Sequence, residues 1–173
     1  MLPNLHRIPL ETAHEFLATF GITKPTKEYE RWVKEDGFDF EDFPTVLADS
    51  PYIFLIDWRA NLADELPPIV EALAQLEVTL ESDVDGTTST GFVANERNKL
   101  QVKYVPTDQD DFTDVIIAIQ SLVPETIEFR ASPHNGQRDQ WDFAVLPREQ
   151  WAELEALDSE LVNSLFVPLS NET

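Results

Sequence analysis

The chain has 173 residues with 33 Asp plus Glu against 12 Lys plus Arg, a formal charge of −21. A surface of that sign repels phosphate backbones and anionic lipid headgroups, and the cations are scattered between Arg7 and Arg148 rather than gathered in a patch, so neither nucleic acid nor a membrane is an expected partner. The absence of Cys removes disulfides, thiolate metal sites and Cys nucleophiles together and suits a reducing compartment.

An apolar fraction of 42%, with 11 Phe and 4 Trp, is enough for the chain to fold despite its charge. At this length a single domain buries roughly 70% of its unfolded surface. No apolar run of signal-peptide length follows Arg7, and the longest apolar stretch, Tyr52 to Ile56, falls well short of the roughly 20 residues that span a bilayer. The cytoplasm is the expected location.

In chain order, Thr12 and Glu15 have the spacing of a capping box for a first helix with Phe16, Leu17 and Phe20 on its apolar side, ending near Gly21. Thr26 caps a second helix through Tyr29, Trp32 and Val33, which stops at Asp36-Gly37. Residues Phe38 to Phe43 then alternate aromatic and acid, the pattern of an edge strand or an extended arm.

Two similar units follow. Tyr52 to Trp58 reads as a strand and Asn61 as the cap of a helix carrying Leu62, Leu66, Ile69, Val70 and Leu73, with Pro67 and Pro68 placed to delay or kink it. Glu77 to Glu81 and Thr88 to Asn95 flank a turn at Asp85-Gly86. The second unit has a strand Leu100 to Val105, a cap at Thr107, a helix stripe of Phe112, Val115, Ile116 and Ile119, and strands Thr126 to Arg130 and Gln140 to Leu146. Val70-Glu71-Ala72-Leu73 aligns with Ile116-Ile117-Ala118-Ile119 at an offset of 46 residues (116 − 70). Pro147 opens a helix with Trp151, Leu154 and Leu157, and Asp158 caps another with Leu161, Val162, Leu165 and Phe166.

The expected fold is therefore α+β: an antiparallel sheet built from two β-α-β-β units with helices on one face, plus C-terminal helices. Residues 1–50 form a helical arm packed on a main domain of residues 51–173. From residue 61 to 157 the order α-β-β-β-α-β-β-α resembles the fold of type III secretion chaperones, which are likewise small and acidic. That resemblance implies a role in escorting a client protein.

Chemistry is sparsely signalled. His6, His14 and His134 form no HExxH or HxxxH pair. Glu81, Asp83, Asp85 and Gly86 start like a calcium loop and then fail, since with Asp83 first the twelfth position is Ala94 and Gly86 falls fourth. Asp108, Asp110, Asp111 and Asp114 suit the first turn of a helix. Asp57, at the end of an apolar strand beside Arg59, and His134, in a polar loop, are the two places where a small hydrolase or a metal-dependent site would lie. Neither a nucleophile-elbow motif nor a phosphate or dinucleotide glycine pattern occurs, and no cofactor or metal is called for.

With Val78, Leu80, Leu100, Val102, Tyr104, Ile127, Phe129, Trp141, Phe143 and Val145 facing the helices, the opposite face carries Glu77, Thr79, Glu81, Gln101, Lys103, Glu128, Arg130 and Asp142. That face is the candidate recognition surface. The partner-binding candidates are Glu77, Glu81 and Glu128, with Phe38 and Phe40 of the aromatic arm as anchors. The expected function is a non-enzymatic module that binds a basic protein, as an immunity protein binds a toxin or a chaperone its client. A hydrolase, or acidity that serves solubility alone, are the alternatives, and the oligomeric state stays open.

Overall fold

The computed structural model describes residues 9–24, 27, 46–137 and 139–169. The predicted second helix and the Phe38 to Phe43 arm, including Phe38 and Phe40, lie outside the described residues, as does His6. In chain order the elements are α1 (Leu10–Thr19), β1 (Ile53–Asp57), α2 (Leu62–Gln75), β2 (Glu81–Asp85), β3 (Thr90–Ala94), β4 (Lys99–Lys103), α3 (Phe112–Gln120), β5 (Ile127–Ala131), β6 (Gln140–Pro147), α4 (Arg148–Leu165) and β7 (Val167–Pro168).

The α+β class and the order of both β-α-β-β units are those read from the sequence. The spacing is regular as well. β1 and β4 begin 46 residues apart (99 − 53), and so do β2 and β5 (127 − 81).

The strands divide between two antiparallel sheets rather than forming one, in the orders β1-β6-β5-β7 and β2-β3-β4. Each unit's first strand leaves its own hairpin and completes the other's. β1 pairs with β6 of the second unit, Ile53 opposite Ala144 and Asp57 opposite Gln140. β4 pairs with β3 of the first unit, Lys99 opposite Ala94 and Lys103 opposite Thr90. The physical source of this exchange is the main core, which lies between the two sheets and helices α2 and α3. It gathers Phe54, Ile56, Val93, Val102, Phe129 and Phe143 from both sheets with Leu66, Ile69, Phe112 and Ile116 from the helices. All ten residues predicted to face the helices are in this core or packed against it.

Local signals place the helices with some corrections. α1 starts at Leu10 behind Pro9, so Thr12 lies inside the helix and the expected capping box is not its start. α2 runs unbroken through Pro67 and Pro68, whose exposed rings cost two helix hydrogen bonds while Leu66, Ile69 and Leu73 are buried on the other side. α3 is capped by Asp111, which accepts from Thr113 N at 2.7 Å, because a single helical turn at Pro106–Asp108 takes up the expected Thr107 start. α4 breaks where the sequence has its second cap: Asp158 is extended (φ −159°, ψ 93°) and its Oδ1 accepts from Leu161 N at 2.9 Å.

The expectation of helices on one face holds for the three-stranded sheet and fails for the four-stranded one. α1 and α4 cover the second face of that sheet with a separate core containing Phe16, Phe20, Ile53, Ala144, Leu146, Trp151, Leu161 and Phe166. Glu128, Arg130 and Asp142, expected on an open face, are consequently 9%, 6% and 7% exposed. Arg130 is held from several sides there. Its Nε donates to Glu128 Oε1 at 2.8 Å and its Nη1 to Glu155 Oε1 at 2.6 Å, while its guanidinium lies 4.5 Å from the Trp151 ring centroid. The Trp151 indole donates to Glu128 O at 2.9 Å, and Arg148 Nη1 sits 2.9 Å from Glu128 Oε2.

Removing one member of a buried ion pair strands the other's charge. Arg130→Met is therefore expected to cost about 3–5 kcal/mol in urea unfolding, whereas Arg59→Met, on the exposed Asp57–Arg59 pair, should leave the midpoint essentially unchanged.

Candidate functional site

The sequence candidates Glu77 and Glu81 come together on the rim of one groove, of about 1020 Å³, at the end of the three-stranded sheet. Its geometry begins with the way α2 stops. Val78 N donates to Leu73 O at 2.9 Å and Glu77 N to Ala74 O at 3.1 Å, a Schellman ending in which Val78 and Leu73 both join the core. That ending requires φ of +62° at Glu77. Beyond it the chain alternates: Val78 and Leu80 are buried, while Glu77, Thr79, Glu81, Asp83 and Asp85 are exposed.

The opposite wall is the turn between β3 and β4. Asn95 Oδ1 accepts from Arg97 N and Asn98 N at 2.9 and 2.8 Å, and its Nδ2 donates to Leu122 O at 2.8 Å, fixing the turn to the end of α3. Glu96 and Arg97 stand on this wall, and Val78, Leu122, Val123 and Pro124 supply apolar surface between the walls. Three carboxylates against one guanidinium, Arg97, around a lining of mixed polar and apolar surface suit a Lys or Arg side chain, whose aliphatic stem packs while its head meets the rim. Neither Glu96 nor Asn95 was singled out by sequence reasoning. The available signal was Asn95 itself, a residue type whose side chain accepts from the backbone N–H two residues on in an Asx turn, as it does here from Arg97.

Glu128 does not belong to this surface. Both its carboxylate oxygens are engaged by Arg130 and Arg148 beneath α4. Thus only two of the three carboxylates proposed from the sequence share a site.

Asp57 and His134 lie toward one end of the four-stranded sheet, where Asp57 pairs with Gln140 and Trp58 N donates to Asp139 O at 3.0 Å. Asp57 is exposed, not a buried acid. The Arg59 side chain and backbone N–H hold its pKa below the ordinary carboxylate value, with Arg59 N 2.8 Å from Asp57 Oδ1. His134 belongs to the β5–β6 connection, in which Gly136 takes φ of +79° and Asn135 brackets the Asp142 backbone, its Nδ2 donating to Asp142 O and its Oδ1 accepting from Asp142 N. Among the described residues, no group of three or more His, Cys, Asp or Glu side chains is placed to hold a metal ion. Nearby, Glu65 is pushed above the usual carboxylate range, first by burial and then by Asp64 and Asp57.

With this geometry in hand, comparison with known proteins adds nothing to it: no protein-family model matches the chain, and no curated protein or solved structure matches it either.

Two outcomes are expected from the local chemistry. Glu77→Gly relieves a left-handed backbone at a helix end and should stabilise the fold by about 0.5–1 kcal/mol in thermal unfolding. Because the folded pKa of Glu65 is raised, its ionisation favours the unfolded chain, and that cost grows as pH climbs through the folded value. Glu65→Gln should therefore raise Tm at pH 7, and the difference should vanish below the unfolded carboxylate pKa, at roughly pH 4.

Proposed function

We propose that this protein is an acidic, non-enzymatic binding module that neutralises or escorts a basic protein, in the manner of an immunity protein or a secretion chaperone. The observation that carries the reading is the convergence of Glu77, Glu81 and Glu96 on one groove of mixed polar and apolar lining, in a chain whose net charge is −21. Such a field accelerates encounter with cationic proteins, and fixed carboxylates over apolar surface convert encounter into docking. Phosphate-bearing partners carry the same sign as this surface and are repelled. No described helix is long and apolar enough to cross a membrane. The proposed site of action is the cytoplasm, a reducing compartment that suits a chain without Cys.

The test is affinity capture from the source lysate at low and at high salt, with the bound protein identified by mass spectrometry. One stoichiometric basic protein, released by salt, is the expected result. The exposed double reversal Glu77→Lys, Glu81→Lys should weaken its binding at least about tenfold while leaving thermal unfolding near wild type. An empty bait at low salt overturns the reading.

A further inference from the structure

The three-stranded sheet ends in β2, and the chain's own internal repeat shows what the corresponding edge does elsewhere. β5 stands 46 residues after β2 (127 − 81), and its outer edge is occupied. β7 pairs antiparallel with it at Arg130 and Ala131. The Gln120 amide supplies the remaining length, donating to Ile127 O at 3.0 Å and accepting from Phe129 N at 2.7 Å. Ala74 stands 46 residues before Gln120 (120 − 74), and its methyl group offers β2 no such hydrogen bonds. Among the described residues, no strand pairs with β2 on the side away from β3.

We infer that β2 receives an extended segment of the partner as a fourth strand, carrying Lys or Arg at alternate positions. The inference rests on the proposed basic partner and adds the mode of recognition, in which main-chain hydrogen bonds supply affinity and alternate side chains supply specificity. The side-chain order across the sheet selects the charge. Glu81, Asp83 and Asp85 are exposed at every second residue of β2, so an added strand would place its own alternate residues directly opposite them. Their other neighbours on that face are Ala94, Phe92 and Thr90 of β3, which neutralise none of the three. The sheet's cations, Lys99 and Lys103, stand on β4, one strand further away.

A second copy of β2 added to this edge would set acid against acid, and like charges in cross-strand pairs are destabilising. A basic segment reverses that sign. At the N-terminal end of β2 the same line of acids continues through Glu77 into the groove, where Val78 and Leu122 offer surface to an aliphatic stem.

The test uses a defined probe, a fluorescent ten-residue peptide of alternating Lys and Thr, with two isomers of it N-methylated at either the odd or the even residues. All three carry the same charge, but a strand presents only one set of its N–H groups to the edge it joins. Anisotropy titration should show the unmodified peptide and one isomer binding, and the other isomer at least about tenfold weaker. Asp83→Lys, at an exposed position, should weaken both binders to a similar degree while the variant unfolds at the wild-type temperature. Equal binding of both isomers would leave a purely electrostatic contact and overturn strand addition without touching the basic-partner reading. No binding of any peptide would overturn strand addition, leaving lysate capture to decide the basic-partner reading. A concentration-dependent dimer in sedimentation that Asp83→Lys abolishes would make a second copy the occupant and overturn it too.

Discussion

Each β-α-β-β unit leaves its own hairpin one strand short, and the fold is held together by the other unit's first strand filling that place. β1 completes β5–β6 and β4 completes β2–β3, both by antiparallel pairing. Neither unit can close its apolar face alone, because the main core draws Phe54 and Ile56 from one exchanged strand and Val102 from the other. The core, the two sheets and the placing of α2 and α3 all follow from this reciprocal pairing. Tyr104, just beyond β4, adds a direct tie by donating its hydroxyl to Trp58 O at 2.9 Å. Both exchanged pairings must form before the main core can close, and β1 meets β6 only across a long loop closure, a feature that slows folding.

The two sheets then meet different fates. The four-stranded sheet is covered on both faces, and the polar side chains caught under α4 are accommodated by a network in which Arg130 contacts Glu128, Glu155 and the face of Trp151. Buried polar groups of this kind are tolerated where their hydrogen bonds are complete. The three-stranded sheet keeps one face in water, with an acidic column on β2, Phe92 at 40% exposure on β3, and Lys99 and Lys103 on β4. Lys99 Nζ lies 4.4 Å from the Phe92 ring centroid, so part of that apolar surface is already engaged by a cation. The acid side is left facing outward, and the recognition surface follows from that asymmetry.

Much of this architecture was legible in the sequence. Period-2 and period-3.6 patterns located the helices and strands of both units, the Asp158 break in α4, and every one of the ten residues predicted to face the helices. Boundaries moved by a few residues where a turn competed with an extension: β2 begins at Glu81 because the Schellman ending at Glu77 and Val78 consumes the residues before it. Glu77 and Glu81 were legible as exposed acids because they alternate with Val78 and Leu80. Glu96 was not, because its place on the rim depends on Asn95 reaching Leu122, 27 residues away.

What the sequence alone determined is the charge, the element order and the inner face, since each is a property of composition or of short-range periodicity. Tertiary structure decided the rest. Alternation along β5 says only that Glu128 and Arg130 point away from Ile127 and Phe129; it cannot say whether water or α4 lies there, because the face onto which α4 folds back after β6 is set by packing and not by periodicity. Nor can spacing reveal that a strand pairs outside its own hairpin, since both registers satisfy the same pattern. The groove arises from three chain segments far apart in sequence, and its existence required the pairing of the two units to bring them together.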